Sequence, residues 1–524
     1  MIEDHEISMT SAAELLSQDF ATMPDMIRAH ARERPDHLAI IDGDRQVTFA
    51  VFDRLVDRAA AAMQRDGVHN RGAIAMCGPS SIEYVVAYVA ALRIGAAACP
   101  LAPSSTAEQL AAMMNDCGAT ILFLDDAATA AIDGVAEKPT ATRTSLEGSA
   151  NASFASWLAP EDAKPSAVEI DPEQPFNIIY SSGTTGTPKG IVQPHRMRWG
   201  HIRRAEGLRY GPDSVTVVST PLYSNTTLVS LIPALVRGGT VVLMRKFDAR
   251  GFLGLAQKHH ATHAMLVPVQ YRRLMDLPDF DSFDLSSFRM KTCTSAPFGA
   301  DLKADILKRW PGGLVEIYGM TEGGGSCLLR AHDFPHKLHT VGQPAAGHDI
   351  RIIGDDGAEL PRGETGEVVG RSMSIMSGYH NQPKKTAEAE WFSPVGERFI
   401  RTGDVGRFDE DGFLVLGDRK KDMIITGGFN VYPSDLEAEL AKHPAIAEAA
   451  VVGIPSREWG ETPAAFIVLR EGASAEAEDL RQWLNSRVGK TQRLSYARVV
   501  ASLPRSSIGK VLKRQLRDEF RPPA

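Results

Sequence analysis

Tyr180-Ser181-Ser182-Gly183-Thr184-Thr185-Gly186-Thr187-Pro188-Lys189-Gly190 is the stretch that decides how this chain is read. It follows an apolar run at 176–180 that reads as a strand. The loop holds three glycines, five Ser/Thr hydroxyls and one lysine. Such a composition turns backbone N–H groups and hydroxyls toward an anion, and the lysine adds charge. The chemistry suits a polyphosphate. It is not a Walker A loop, because Lys189 is followed by Gly190 rather than Ser or Thr. A bare Ser/Thr/Gly turn is the plainer reading, and the specificity of the full string stands against it.

Outward from the loop, short apolar runs alternate with amphipathic stretches. Strands are expected at 73–77, 96–99, 120–124, 215–219, 240–244, 263–267 and 314–318. Helices are expected between them, as at 82–92, 107–114 and 300–309. This alternation predicts βαβ units and largely parallel sheets. Residues 131–172 are poor in large apolar side chains and read as a surface excursion. From 341 to 416 Gly and Asp recur between short strands at 349–353, 366–369 and 413–416, which predicts a more antiparallel region. After Asp418 comes a small α+β pattern: helix 434–442 with Ser434 as N-cap, strands 446–452 and 464–469, and helix 475–488. The fold class is therefore α/β, with a large N-terminal domain of βαβ layers, a β-rich subdomain and a small α+β C-terminal domain.

Composition limits the function. The 524 residues suit two to four domains. A net charge of −8 gives no general attraction to nucleic acid or anionic lipid. The five cysteines include no CxxC pair, so neither a structural zinc site nor a disulfide framework is indicated. The longest apolar stretch, 85–101, is interrupted by Arg93 and Gly95, and a membrane span needs about 20 apolar residues. The acidic N-terminus lacks a signal-peptide pattern. A cytoplasmic enzyme is expected; a homodimer is left open.

Four further strings recur in order: Tyr318-Gly319-Met320-Thr321-Glu322, Arg401-Thr402-Gly403-Asp404, Asp418-Arg419-Lys420-Lys421-Asp422, and Pro504-Arg505-Ser506-Ser507-Ile508-Gly509-Lys510. With the loop at 181–190 they resemble the motifs of the adenylate-forming superfamily, which includes acyl- and aryl-CoA synthetases, firefly luciferases and nonribosomal-peptide adenylation domains. The resemblance covers nearly the whole chain and is nearest to the AMP-forming acyl- and aryl-CoA ligases. It implies an N-terminal domain at 1–417 holding the ATP and acid sites, and a mobile C-terminal domain at 418–524. ATP, Mg²⁺ and coenzyme A are implied with it.

The resemblance also implies roles. Ser181, Ser182, Gly183, Thr184, Thr185, Gly186, Thr187 and Lys189 would hold the β- and γ-phosphates. Thr321 would contact the α-phosphate and Glu322 would hold Mg²⁺, a hard cation that takes oxygen ligands. Ser295, Ala296 and Pro297 would wall the adenine, with Tyr318 and Gly319 against the base and Glu316 near its amino group. Asp404 would accept from both ribose hydroxyls, and Arg419 would reach the same sugar. Lys510 would bridge carboxylate and α-phosphate as the catalytic lysine. Lys421 would be the hinge, and Gly427 and Gly428 would lie along the pantetheine.

The acid pocket departs from the family pattern. Tyr223-Ser224-Asn225 falls where many CoA ligases have an aromatic residue followed by His, and Thr294 replaces a frequent glycine. Gly323 and its two following glycines are expected to leave room beside the pocket. Asn225, Thr226 and Gln270 either bond a polar acid or satisfy backbone. No charged residue occurs from 221 to 235, so the acid body is expected to be neutral. The reading is an ATP-dependent carboxylic acid:CoA ligase acting on an aryl, arylalkanoic or medium-chain acid. Its rivals are transfer to a carrier-protein phosphopantetheine, a luciferase-like oxygenase, and a non-catalytic adenylate-binding protein.

Overall fold

Runs without a polar residue, such as Ala73–Cys77 and Ile121–Leu124, are buried along their whole length. That is the signature of central strands in a parallel sheet covered on both faces. The computed structural model describes residues 10–147, 153–181, 189–419, 422–426, 429–456, 459–506 and 509–520. The chain separates into two compact units: Met1–Leu338 with Ala345–Asp349 and Gly370–Ile400, and His339–Pro344 with Ile350–Val369 and Arg401–Ala524.

In the first unit, one sheet runs Thr142–Ser145, Ile121–Leu124, Ala73–Cys77, Ala97–Pro100 and Pro175–Ser181, all parallel. Lys189–Pro194 and then Gly378–Tyr379 extend it antiparallel. A larger sheet has Leu38–Asp42, Thr240–Leu243, Val215–Val218, His263–Leu266, Met290–Cys293 and Gly313–Tyr318 in parallel. Arg45–Thr48 and Cys327–Arg330 pair antiparallel on its flanks. The predicted strands are found within about a residue or two. The excursion at 131–172 is more ordered than expected: it carries the edge strand Thr142–Ser145, and Phe154 packs against Phe123 and Trp157. An edge strand needs only one partner, so its residues need not be apolar.

The apolar stretch that begins at residue 85 belongs to the helix Ile82–Arg93, capped by Ser81 and buried at every position but Glu83. Its last residue, Arg93, is ion-paired to Asp53 and Asp57, each at 2.6 Å. No helix among the described residues is long and apolar enough to cross a membrane.

In the second unit, the later residues of the strand Arg398–Phe408 pair antiparallel with Leu414–Arg419. A C-terminal sheet has Phe429–Val431, Ile424–Thr426, Gly460–Leu469 and Ile446–Ser456 in antiparallel order, with Tyr496–Val499 parallel to Gly460–Leu469. Leu436 and Leu440 from the helix Pro433–Leu440, and Leu480 and Leu484 from Ala477–Asn485, close a core over Val451 and Ile467. Ser434 is not the N-cap of its helix. Tyr432 is, and Pro433 takes the first helical position, where its missing N–H costs nothing.

Candidate functional site

The strands Pro175–Ser181 and Lys189–Pro194 form a hairpin whose register closes on Ser181 opposite Lys189. The connecting Ser182, Gly183, Thr184, Thr185, Gly186 and Thr187 lie outside the described residues. Lys189 Nζ sits 4.9 Å from the centre of the Tyr379 ring, within the range of a cation–π contact. The Tyr379 hydroxyl donates to Glu322 Oε1 at 2.8 Å. Burial, then the Glu322 charge, holds this phenol above its usual range, so it remains a donor. Lys189 and Glu322, from motifs far apart in sequence, thus share one tyrosine.

The Thr321–Glu322 segment is strapped in place. Met376 N donates to Glu322 O at 2.8 Å and Gly324 N to Ser374 O at 3.0 Å. A Cβ on Gly323, which has φ +75°, would stand 2.1 Å from Ser374 O. The glycines here admit a second stretch of main chain rather than leaving room beside a pocket. From the other side, Gln193 Nε2 donates to Thr321 O at 2.6 Å.

Gln193 belongs to a buried polar cluster. Arg198, on the helix His195–Arg204, donates from Nε to Asn177 Oδ1 at 3.0 Å, from Nη2 to Asn225 Oδ1 at 2.9 Å, and from Nη2 to Gln193 Oε1. Asn225 opens the helix Asn225–Val236, and Ser224 is its N-cap, accepting from Thr226 N at 3.3 Å. Ser224 therefore has a local structural task. Gln270 does as well, accepting from Val267 N at 3.1 Å. Tyr223 is half-buried beside them. The stretch 221–235 itself carries no charge, but a charged side chain from another helix reaches its Asn225.

Thr226 Oγ1 lies 2.6 Å from Ser295 Oγ, and Ser295 has φ +82°, rare for a residue with a side chain. The neighbouring Thr294 donates to Ile317 O at 2.7 Å, tying this loop to the strand that ends in Tyr318. Ala296 is half-buried and Pro297 exposed; Tyr318 is half-buried and Gly319 exposed. Glu316 is buried and ion-paired to the buried Lys303. Burial pushes its carboxyl up to about 7, against the opposing pull of Lys303.

The second unit carries the remaining candidates. Asp404 N bonds Thr402 Oγ1 at 3.0 Å, Thr402 Oγ1 donates to Val368 O at 2.8 Å, and the backbone of Asp404 is in register with Arg419. Arg401 grips Glu367 with two bonds, at 3.1 and 2.6 Å. Ser506 N donates to Lys510 O and Gly509 N to Ser506 O, both at 2.8 Å. Arg505 donates to Gly509 O and to Glu448 Oε2, each at 2.7 Å. Lys421, Gly427 and Gly428 lie outside the described residues. A cleft of about 650 Å³ is lined by Thr426, Trp459, Arg481, Lys490 and Arg493.

Sequence reasoning missed Tyr379, Gln193, Arg198 and the basic cleft. Arg198 left a trace: it stands four residues before the buried Ile202, at the helical spacing of the apolar face. Tyr379 left none, because only the tertiary fold brings it to Glu322.

Two family models match the chain, AMP-binding enzyme over residues 27–380 and AMP-binding enzyme C-terminal domain over residues 435–510. The chain is 32% identical to indoleacetate–CoA ligase of Aromatoleum aromaticum, covering 94% of this chain and 97% of that one. It is also 32% identical to the fatty acid–[acyl-carrier-protein] ligase ScoC of Streptomyces coeruleorubidus, covering 94% and 95%. Among solved structures, ATP-bound MatB from Rhodopseudomonas palustris superposes with a TM-score of 0.85 at 28% identity, covering 95% and 99%.

Proposed function

The chain belongs to the AMP-binding enzyme family, and from that premise we propose how its residues divide the work of an ATP-dependent, AMP-forming carboxylic acid:CoA ligase. The observation that carries the assignment is the link from Lys189 through Tyr379 to Glu322. It brings a phosphate-seeking cation and an oxygen ligand from two motifs to one place.

The carboxylate oxygen attacks the α-phosphorus, the bond to pyrophosphate breaks, and an acyl-adenylate forms. The CoA sulfur then attacks the acyl carbon and AMP leaves with one former carboxylate oxygen. Catalysis of such a step is positioning plus charge stabilisation. In this reading the loop Ser181–Lys189 and Lys189 itself hold the β- and γ-phosphates, and Thr321 contacts the α-phosphate. The adenine lies against Ser295, Ala296, Pro297 and Tyr318. Asp404 and Arg419 hold the ribose, and Lys510 supplies positive charge where carboxylate meets phosphate. Mg²⁺, when bound, neutralises phosphate charge, and Glu322 offers it one carboxylate. Hard-cation chemistry would suit phosphate oxygens beside that carboxylate. The cleft of Arg481, Lys490 and Arg493 suits the phosphates of CoA, and Gly427 and Gly428 the pantetheine.

We place the hinge at Lys421 and the acid among aryl, arylalkanoic and medium-chain carboxylates, a range supported by the indoleacetate and fatty-acid relatives. The five described cysteines are all buried and free, in keeping with the cytoplasm. A panel of carboxylic acids assayed for pyrophosphate release with and without CoA tests the function. Release that needs an acid, and thioester that needs CoA, is expected; ADP as product would overturn it. Lys510→Ala should lose adenylation by about 10²–10³ while thioester formation from supplied acyl-adenylate survives. Equal loss of both steps would remove Lys510 from its role. The ScoC relative supports a second acceptor, a carrier-protein phosphopantetheine. Faster transfer to a holo-carrier protein than to free CoA would select it.

A further inference from the structure

Arg198 is fully buried, at 1% exposure, and its charge has no carboxylate partner among the interactions described. Its bonds go to three side-chain amides, those of Asn177, Gln193 and Asn225. Its Nη1 is buried and meets no acceptor among the described residues. The buried hydroxyl of Tyr88 also has no partner among the described residues. Burial holds Arg198 down to about 10, which leaves it protonated at neutral pH. A buried donor without an acceptor carries a full desolvation cost, larger when it is charged. A guanidinium donor left in this way calls for an acceptor that the described residues do not supply.

The location says where that acceptor would come from. Asn225, which takes Arg198 Nη2, lies between Ser224 and Thr226, and Thr226 touches Ser295 at 2.6 Å. Gln193, which also takes Nη2, holds the carbonyl of Thr321. The guanidinium is therefore one residue, Gln193, from Thr321 and two residues, Asn225 and Thr226, from Ser295.

We propose that Arg198 is a specificity-determining residue that receives an acceptor oxygen carried on the acid away from its reacting carboxylate: a ring hydroxyl, a carbonyl or a second carboxylate. This rests on the reading that residues 223–226 border the acid site. A ring hydroxyl or carbonyl keeps to the expectation of a neutral acid body; only a second carboxylate would revise it, its charge then being met from the helix His195–Arg204 rather than from 221–235. Arg suits the task because its planar fork can hold three amides through Nε and Nη2 and still present Nη1.

The experiment measures kcat/KM on matched acids with the native chain, Arg198→Met and Arg198→Lys. One set is phenylpropanoate with its para-hydroxy and para-carboxy derivatives; another is octanoate with octanedioate. In at least one set the native chain should prefer the oxygenated acid by about tenfold to a hundredfold, the value of a hydrogen bond to a charged group. Arg198→Met should bring that ratio to near one with the KM for ATP unchanged. Arg198→Lys should keep part of the preference for the carboxylate and lose it for the hydroxyl. The hydroxyl and carboxylate arms identify the group received. A native chain that prefers the unsubstituted acid in every set overturns the proposal, whether or not the variants fold. So does Arg198→Met lowering kcat alike for both members of a set, which is what a residue that only holds Gln193 and Asn225 would do. Turnover of no acid at all would instead overturn the ligase reading.

Discussion

Two arginines are buried in the same unit, and they are treated in opposite ways. Arg93 ends the helix Ile82–Arg93 with carboxylates at 2.6 Å on two sides, and Asp57 is shared with Lys164 at 2.6 Å and Arg28 at 3.2 Å. Arg198 has three neutral amides, the Phe176 ring 5.8 Å from its Cζ and, among the described residues, a nitrogen without a partner. A buried charge compensated by ionised partners is a structural clamp; one compensated only by dipoles is held ready. The difference separates a region that serves the fold from one that serves a ligand.

Removing the clamp should cost most. Arg93→Met leaves the buried Asp57 and the half-buried Asp53 without their principal partner and should destabilise the first unit by about 3 kcal/mol, the low end for breaking a buried pair because Lys164 and Arg28 still reach Asp57. Denaturant midpoints at constant slope measure it. A loss under about 1 kcal/mol would put Arg93 in the class of surface pairs and dissolve the contrast.

His195, three residues before Arg198, asks whether the second region tolerates another cation. Burial lowers its imidazole to about 4. It is neutral in the fold and protonates near 6.5 when unfolded, so between pH 6.5 and 4 the unfolded chain binds more protons. Its contribution is present above pH 6.5 and is lost as pH falls toward 4, about 2 kcal/mol by pH 5. His195→Gln should flatten the stability profile across that window relative to the native chain. An unchanged slope would mean that the ring is solvated.

Arg198→Met should cost about 1 kcal/mol, since it leaves amides rather than carboxylates without a partner. It should do so while changing acid preference, whereas Arg93→Met should leave preference unaltered in whatever fraction folds. Comparable losses of stability in the two variants would make both arginines structural. The smallest change is Tyr379→Phe, which removes the bond to Glu322 without touching the lysine contact with the ring. The Mg²⁺ concentration needed for half-maximal adenylation should rise about tenfold, the usual scale for a residue that orients a metal ligand. No rise would detach Glu322 from the metal.

The sequence was legible where the information is local. Strands such as Ala73–Cys77 and the helix Ala300–Arg309 are visible as periodicity because one element's burial is written in its own residues. The site motifs were visible for the same reason, each being a loop whose residues are contiguous. Illegible were the contacts between motifs: Tyr379 on Glu322, Gln193 on the Thr321 carbonyl, and Arg198 on Asn225. Polar residues that serve a partner far along the chain leave no period. Ser224 and Gln270 show the converse, for they looked like pocket residues and are bound to local backbone. The edge strand Thr142–Ser145 was hidden because a one-sided strand carries no continuous apolar run.

The central chemical step is attack of the acid's carboxylate on the α-phosphorus of ATP. Turnover of a carboxylic acid labelled with ¹⁸O in both oxygens, followed by mass spectrometry of the nucleotide and phosphate products, tests it directly. One ¹⁸O in AMP and none in pyrophosphate is the predicted result. Label in inorganic phosphate with ADP as the nucleotide product would mean attack at the γ-phosphorus and would contradict the account.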